Sequence, residues 1–301
     1  MGILRPRAYP TKLFFNAADH TYVECGSGGM AWGCWGGKTG GRALREANGS
    51  TKRADAIAGP KERAGITCYL INGVCHQAAN RVLFPARITV VGARGYSLSS
   101  AIFGVYGRPR GPLGTCSAPF DQHPGVSGDL SACLHGVRAG YEEPTDDDAG
   151  EAHGPPDFED AAYMAEVNAL YQDRYLRALG DDADAYGFQM QHFALLVQHK
   201  ERTTPLSLQR GEREALMIAR SDFEKNRIDA EQALAATRDP LAFADAFDAL
   251  TLKFQDDAAE ALSAEHYRDL LDLSPEERIV LADPDIVASA YGLNPSGPAA
   301  T

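Results

Sequence analysis

The spacing of apolar positions changes partway along this chain. Between residues 11 and 110, short apolar segments alternate with Gly-rich turns, which is the pattern of an α+β unit. Beyond residue 156, apolar side chains recur at helical spacing, and an acidic, Pro/Gly-rich stretch precedes this region. We therefore predict an α+β domain over residues 1–139, a linker over 140–156 and an all-α domain over 157–301.

A β-hairpin is predicted near the start of the α+β unit. A Gly-rich turn at 26–29 separates apolar segments that we interpret as strands, over residues 12–17, 21–25 and 30–35. A turn centred near Ser27 would place Cys34 opposite His20. A shift of the register by one residue would place Cys34 on the other face of the sheet.

A helix is predicted from about residue 74 to 84, between Gly73 and Pro85. The apolar segments 88–96 and 100–106 that follow are predicted to form a second hairpin. The sheet would then flank the helix on both sides. Further helices are expected over 241–256 and after Ser263, Ser274-Pro275 and Asp283-Pro284, where cap or proline signals occur.

The segment GVCHQAANR at 73–81 has the features of a nucleophilic cysteine site. Cys75 follows Gly73 and begins the predicted helix, where unpaired backbone N–H groups and the helix dipole favour a thiolate. A thiolate is the reactive form of cysteine in acyl transfer. We therefore expect Cys75 to be the nucleophile and the most reactive cysteine of the chain.

A thiol nucleophile requires a base, and His20 is the best candidate because it begins an apolar strand that can face the helix. His76 is excluded because neighbouring residues on a helix point about 100° apart. A third group usually orients the imidazole. The sequence leaves three candidates open for this role, which are Asp19, Cys34 and a backbone carbonyl.

Four further residues are predicted to bind the substrate. Gln77 and Asn72 flank the cysteine and carry amide donors that could stabilise an oxyanion. Trp32 and Trp35 lie on the returning strand of the hairpin, where we expect them in the core or in the wall of a substrate groove. Nothing in the sequence requires a cofactor.

The order of a histidine strand followed by a cysteine helix resembles the circularly permuted branch of the papain-like NlpC/P60 superfamily. The resemblance covers residues 11–110 and depends on DHTYV at 19–23, WGCW at 32–35 and NGVCHQ at 72–77. It implies a papain-like domain with a central helix on a small antiparallel sheet. It also implies hydrolysis or acyl transfer at an amide or ester bond of a peptide, peptidoglycan or lipid. The family often has a polar residue on the strand after the histidine, and only Cys34 is available there.

Two alternatives remain open at this stage. The first takes Cys34 as the nucleophile, because Cys34-Trp35 is similar to the Cys-Trp pair of papain proteases. The second is a binding module without catalytic activity, whose basic N-terminal half contacts an anionic polymer and whose helical half contacts a protein partner. Selective labelling of one cysteine would distinguish an enzyme from such a module.

Charge is divided unequally between the two halves of the chain. Residues 1–110 carry 15 Lys and Arg against 5 Asp and Glu, whereas the remaining residues carry 14 against 36. The basic half could attract an anionic partner such as a cell-wall polymer, lipid headgroups or RNA. It could equally dock against the acidic half of the same chain.

Two other His or Cys groups do not predict a metal site. The first group is Cys116, His123, Cys133 and His135, whose spacings match no common zinc site. A Cys116–Cys133 disulfide is an alternative. His192 and His199 are about two helical turns apart, roughly 10 Å of rise, which is too far to share one ion.

No apolar run approaches the roughly 20 residues of a membrane span, and the N-terminus lacks the apolar core of a Sec signal. We expect no transmembrane segment and a cytoplasmic location, or export without a cleaved signal peptide.

Overall fold

The computed structural model describes residues 2–11, 18–26, 28, 30–33, 38–58, 69–71, 73–105, 107, 183–237 and 239–290. A small antiparallel sheet and a set of helices make it a mixed α+β protein. The strands are β1 Gly2–Pro10, β2 Asp19–Cys25, β3 Ala31–Gly33, β4 Arg42–Ala43 and β5 Ala47–Gly49. They follow the order β3-β2-β1-β4, and β5 also pairs with β1.

The central strand β1 was not predicted from the sequence, because prolines and arginines interrupt its apolar positions. Its burial nevertheless alternates, with Leu4, Pro6 and Ala8 buried towards the core. Pro6 pairs with Val23, and Pro10 pairs with Asp19 at the end of the strand. The strand predicted over 12–17 lies outside the described residues.

The hairpin of β2 and β3 confirms the strand predicted over 21–25 and, over residues 31–33, the strand predicted over 30–35, with a different register. Cys25 N–H donates to Met30 O at 2.9 Å and closes a four-residue turn that contains Gly28 at φ 82°. Tyr22 therefore pairs with Gly33. The predicted register, with the turn centred on Ser27, is wrong by one residue, and Cys34 itself lies outside the described residues.

Helix α2, Cys75–Leu83, confirms the predicted cysteine helix. All nine of its residues are buried, and the helix packs against β2. A short 3-10 helix at Phe84–Ala86 contains Pro85 and ends the element as the proline predicted. Helix α1, Thr51–Ala58, packs beside α2.

The predicted second hairpin is wrong, because residues Tyr96–Phe103 form helix α3. Gly92 and Gly95 adopt φ 90° and 79° in the turns before the helix, and Gly104 ends it at φ 82°. Every residue of α3 is buried, so the segment shows no amphipathic period. A short apolar run between glycines does not distinguish a strand from a buried helix. The sheet therefore does not flank α2 on both sides.

The C-terminal part is helical, as predicted. Its described helices are α4 Ala183–Thr203, α5 Arg210–Thr237, α6 Pro240–Ala261, α7 Ala264–Leu271 and α8 Pro284–Ala290. Helices α6, α7 and α8 confirm the cap and proline signals, whereas the helix expected after Ser274-Pro275 is a turn. Within the described ranges, no helix has the length and apolar character needed to cross a membrane. The 140–156 linker and the Cys116 to His135 cluster lie outside these ranges.

The helical part packs on the α+β part through α3. Phe103 stacks on Phe247 with ring centroids 5.5 Å apart. The buried Arg220 donates to Ala101 O at 2.9 Å and to Ile102 O at 2.8 Å, which are carbonyls in the last turn of α3. Buried apolar residues of both parts form one cluster. The contact is therefore largely apolar, with the Arg94–Glu277 ion pair as an electrostatic contribution.

Candidate functional site

Cys75 occupies the first position of α2, as predicted, and lies beside the backbone of β2. Its Sγ donates to the Asp19 carbonyl oxygen at a distance of 3.5 Å. Asp19 N–H donates to Arg94 O at 3.0 Å. The N–H and the carbonyl of Asp19 therefore both point away from β1. The thiol therefore lies on the side of β2 away from β1, next to Asp19, the residue before His20.

The His20 imidazole packs against an aromatic side chain of the neighbouring strand. His20 pairs with Tyr9 across β1 and β2, and their ring centroids are 4.9 Å apart. Because side chains alternate along a strand, His20 shares one face of the sheet with Tyr22, whereas Thr21 lies on the face towards α2. The structure therefore brings the His20 backbone close to Cys75. Neither ring nitrogen of His20 hydrogen-bonds to Cys75 Sγ in this structure, and the thiol donates to the Asp19 carbonyl instead.

The expectation of a resting thiolate at Cys75 is wrong for this structure. Cys75 is 6% exposed, and burial raises the pKa of its thiol to about 11. Hydrogen bonds from Thr21 and from the His76 backbone lower this pKa, but they do not offset the desolvation of the charged form. The first turn of α2 therefore holds a protonated thiol.

The Asp19 carboxylate is engaged away from the imidazole. Its Oδ2 accepts from Arg42 Nη2 at 2.5 Å and from Arg94 N–H at 2.9 Å. Arg42 also donates to Gly92 O at 2.8 Å. These bonds tie the start of β2 to the turn before α3. They assign to Asp19 the role of fixing the strand, in place of the predicted role of orienting His20.

The Gln77 side chain is committed inside the core, and its predicted role as an oxyanion donor is wrong. Its Oε1 accepts from Val74 N–H at 3.1 Å, and its Nε2 donates to Gly104 O at 3.1 Å and to Ser99 Oγ at 3.3 Å. The first bond caps the N-terminus of α2. The others attach this terminus to α3. Gln77 therefore fixes the N-terminus of α2, where Cys75 lies.

A buried polar network behind Cys75 extends this attachment. His76 Nδ1 lies 2.8 Å from Ser99 Oγ, and burial lowers the pKa of His76 to about 3, so the ring is neutral. Asn80 donates to Val105 O at 2.6 Å and accepts from Val90 N–H at 2.9 Å. This role of His76 and Asn80 was not predicted from the sequence. The signal was their four-residue spacing, which places both on one face of α2.

Trp32 lies in the core and not in a groove wall. It is 5% exposed, and its Nε1 donates to Asp55 Oδ1 of α1 at 3.0 Å. The remaining predicted site residues, Asn72, Cys34 and Trp35, lie outside the described residues.

A cavity of about 320 Å³ opens beside the candidate site. Its lining includes Arg42 and Arg94, which bind the Asp19 carboxylate through the Arg42 side chain and the Arg94 backbone N–H, and it also includes Asp272 and Glu277 of the helical part. Within the described ranges, no three His, Cys, Asp or Glu side chains converge to hold a metal ion. The cavity is thus polar and of mixed charge.

Comparisons of the chain with protein-family models, with curated proteins and with solved structures found no match. The papain-like resemblance therefore depends on the sequence motifs alone, and the geometry around Cys75 carries the functional argument.

Proposed function

We propose that this protein is a cysteine-dependent hydrolase or acyltransferase that acts on an amide or ester bond, with Cys75 as nucleophile and His20 as base. The observation that carries the proposal is the position of Cys75 Sγ at the N-terminus of α2, 3.5 Å from the carbonyl oxygen of the residue preceding His20. A helix N-terminus beside a histidine strand is a recurrent arrangement for a thiol nucleophile. The papain-like architecture and a peptide, peptidoglycan or lipid substrate are parts of the same proposal.

The raised pKa of Cys75 determines how such a reaction would begin. The resting thiol must lose its proton as it attacks, so the proposal requires the His20 side chain to leave Tyr9 and turn around the end of β2 towards Sγ. A new bond forms between Sγ and the substrate carbonyl carbon while the proton passes to His20. Collapse of the tetrahedral intermediate breaks the bond to the amine or alcohol, which takes the proton from His20. Water or another acceptor then releases the acyl group.

The oxyanion would form at the start of α2. Backbone N–H groups in the first turn of a helix have no intrahelical acceptor, and they stabilise negative charge. The Gln77 cap satisfies Val74 N–H and fixes the direction of this turn. In the proposal, the buried network of Gln77, His76 and Ser99 is therefore a support for the oxyanion site.

Trapping of an acyl-enzyme tests the proposal. The native chain is incubated with p-nitrophenyl acetate, and acetylated cysteines are located by peptide mapping. We expect the adduct on Cys75, with its formation slowed by about a hundredfold in His20→Ala, because general base catalysis contributes about that much. Cys25→Ser is the matched control, because Cys25 is a second buried cysteine and lies on β2.

An adduct that forms on Cys75 at the same rate in His20→Ala would remove His20 from the mechanism. Preferential acetylation of Cys34 would transfer the nucleophile to the alternative site. Absence of acetylation at every cysteine would support the binding module without catalytic activity, whose basic half contacts an anionic polymer.

A further inference from the structure

A buried hydroxyl on β2 faces the first turn of α2. Thr21 pairs with Ala8 across β1 and β2, and it shares the core face of β2 with Val23. The Thr21 side chain is fully buried, and its hydroxyl makes no hydrogen bond to a nitrogen or oxygen atom among the described residues. Burial of a hydroxyl without a partner costs free energy. The Thr21 hydroxyl therefore requires a partner of another kind.

The sulfur of Cys75 supplies such a partner. Helix α2 packs against β2, and Cys75 Sγ donates to the Asp19 carbonyl oxygen at 3.5 Å. Asp19 and Thr21 are two residues apart on the strand, so they lie on one face about 7 Å from each other. Burial raises the pKa of Cys75, and hydrogen bonds from Thr21 and from the His76 backbone oppose that rise. The buried hydroxyl is thus directed at the thiol.

The proton of the thiol determines which group donates in this contact. A thiol has one proton, and Cys75 gives it to the Asp19 carbonyl. Towards Thr21 the sulfur can therefore only accept, and the threonine hydroxyl has to donate. Removal of the thiol proton leaves the Asp19 carbonyl facing a negative charge, whereas the bond from Thr21 becomes charge-assisted and about twice as strong. Thr21 therefore stabilises the thiolate more than the thiol.

We propose that Thr21 stabilises the Cys75 thiolate during attack on a substrate, through a hydrogen bond from Thr21 Oγ1 to Cys75 Sγ. The inference rests on the proposed function of Cys75 as a nucleophile and extends it. In that proposal His20 takes the thiol proton, while Thr21 keeps its own proton and stabilises the charge that remains on sulfur. The hydroxyl contacts the reacting atom itself, which makes Thr21 a further catalytic residue of this site.

Alkylation of Cys75 by iodoacetamide at about pH 8 tests the contact without any substrate, because the thiolate is the reactive form. Thr21→Val removes the hydroxyl and keeps the size of the side chain, whereas Thr21→Ser keeps the hydroxyl and removes the methyl group. We expect alkylation to be about fivefold slower in Thr21→Val, because the charge-assisted bond is lost. It should stay close to the native rate in Thr21→Ser.

The order of the two variants separates catalysis from packing. Valine fits the strand and the apolar core, whereas serine leaves a cavity in place of the methyl group. A purely structural role of Thr21 would therefore make Thr21→Ser the more perturbed variant, which is the reverse of the expected order. Thr251→Val is the matched control, because Thr251 is a buried threonine of α6 whose hydroxyl donates to Phe247 O at 2.9 Å. It should leave the alkylation of Cys75 unchanged.

Cys25 reports on the folded state of each variant in the same experiment, because it is a second buried cysteine and lies on β2. Its alkylation rate should stay constant in every variant. Unfolding would accelerate the alkylation of both cysteines, so a variant that fails to fold cannot imitate the expected slowing.

A native rate of Cys75 alkylation in Thr21→Val would overturn the inference, and so would equal slowing in Thr21→Val and Thr21→Ser. Acceleration of both cysteines in Thr21→Val would overturn it as well, because Thr21 would then have a structural role only. These outcomes leave the acetylation test of the enzyme proposal unaffected. Conversely, slow alkylation in Thr21→Val without acetylation of the native chain would preserve the contact between Thr21 and Cys75 and contradict the catalytic function.

Discussion

Arg220 joins the helical part to the α+β part, and its replacement by Leu should strongly destabilise the protein. The Arg220 side chain is fully buried and donates to Ala101 O, to Ile102 O and to the Glu224 carboxylate. Its guanidinium lies 5.8 Å from the Phe193 ring centroid and 5.3 Å from that of Phe223. Leucine would keep part of this apolar packing and lose every polar contact.

The expected loss of unfolding free energy follows from the polar groups that Arg220 no longer contacts. Glu224 keeps Arg227 as an ion-pair partner, but two carbonyls at the end of α3 lose their donor. Each buried acceptor without a donor costs about 1–3 kcal/mol, so the two carbonyls together cost about 2–6 kcal/mol, and no unpaired charge is added because Glu224 keeps its second partner. We therefore expect Arg220→Leu to lower the free energy of unfolding by about 4 kcal/mol.

Urea unfolding followed by circular dichroism measures this difference. The control is Arg210→Leu on the same helix, where the arginine side chain is 83% exposed in its pair with Glu214. An exposed pair contributes less than about 1 kcal/mol, so the control should unfold close to the native midpoint. A loss below about 1 kcal/mol for Arg220→Leu would refute the described contact between α5 and α3.

Three further substitutions test other parts of the structure. Burial raises the pKa of Asp248 from 3.8 to about 6, so the unfolded chain loses this proton first as the pH rises. The free energy of unfolding should therefore fall by about 3 kcal/mol between about pH 4 and pH 6, and this fall should be absent in Asp248→Asn in urea titrations. Gly41→Ala should lower the melting temperature more than Gly40→Ala: both have positive φ, but only at position 41 would a Cβ lie 2.5 Å from Ala8 O. Gln77→Ala should cost about 2–4 kcal/mol in urea unfolding, because it leaves Val74 N–H and Gly104 O without their partner; native stability would contradict the capping role.

The sequence predicted the cysteine helix well because its ends carry strong local signals. Gly73 and Pro85 bound the segment, and the helix begins and ends within one or two residues of the prediction. Helix α3 lacked such a signal, because burial on every side removes the contrast between polar and apolar positions. Strand β1 was missed because it carries a misleading signal: Pro6 and Pro10 are unfavourable in most strands.

Within the candidate site, the sequence identified the right neighbourhood and not the roles of the residues. Placing Cys75 beside β2 required only local patterns, and the structure shows that contact. The roles of Gln77 and Asp19 depend on partners that are distant in sequence, namely Gly104, Arg42 and Arg94. The residue types and their spacing within one segment do not indicate which residues from distant parts of the chain will contact them.

The pH dependence of Cys75 alkylation tests the central claim most directly. The measurement compares the native chain with His20→Ala. If His20 assists removal of the thiol proton, His20→Ala should react about tenfold more slowly near pH 7 and approach the native rate at high pH, where the thiolate forms without assistance. Identical pH profiles in the native chain and in His20→Ala would contradict the assignment of Cys75 and His20 as a catalytic pair.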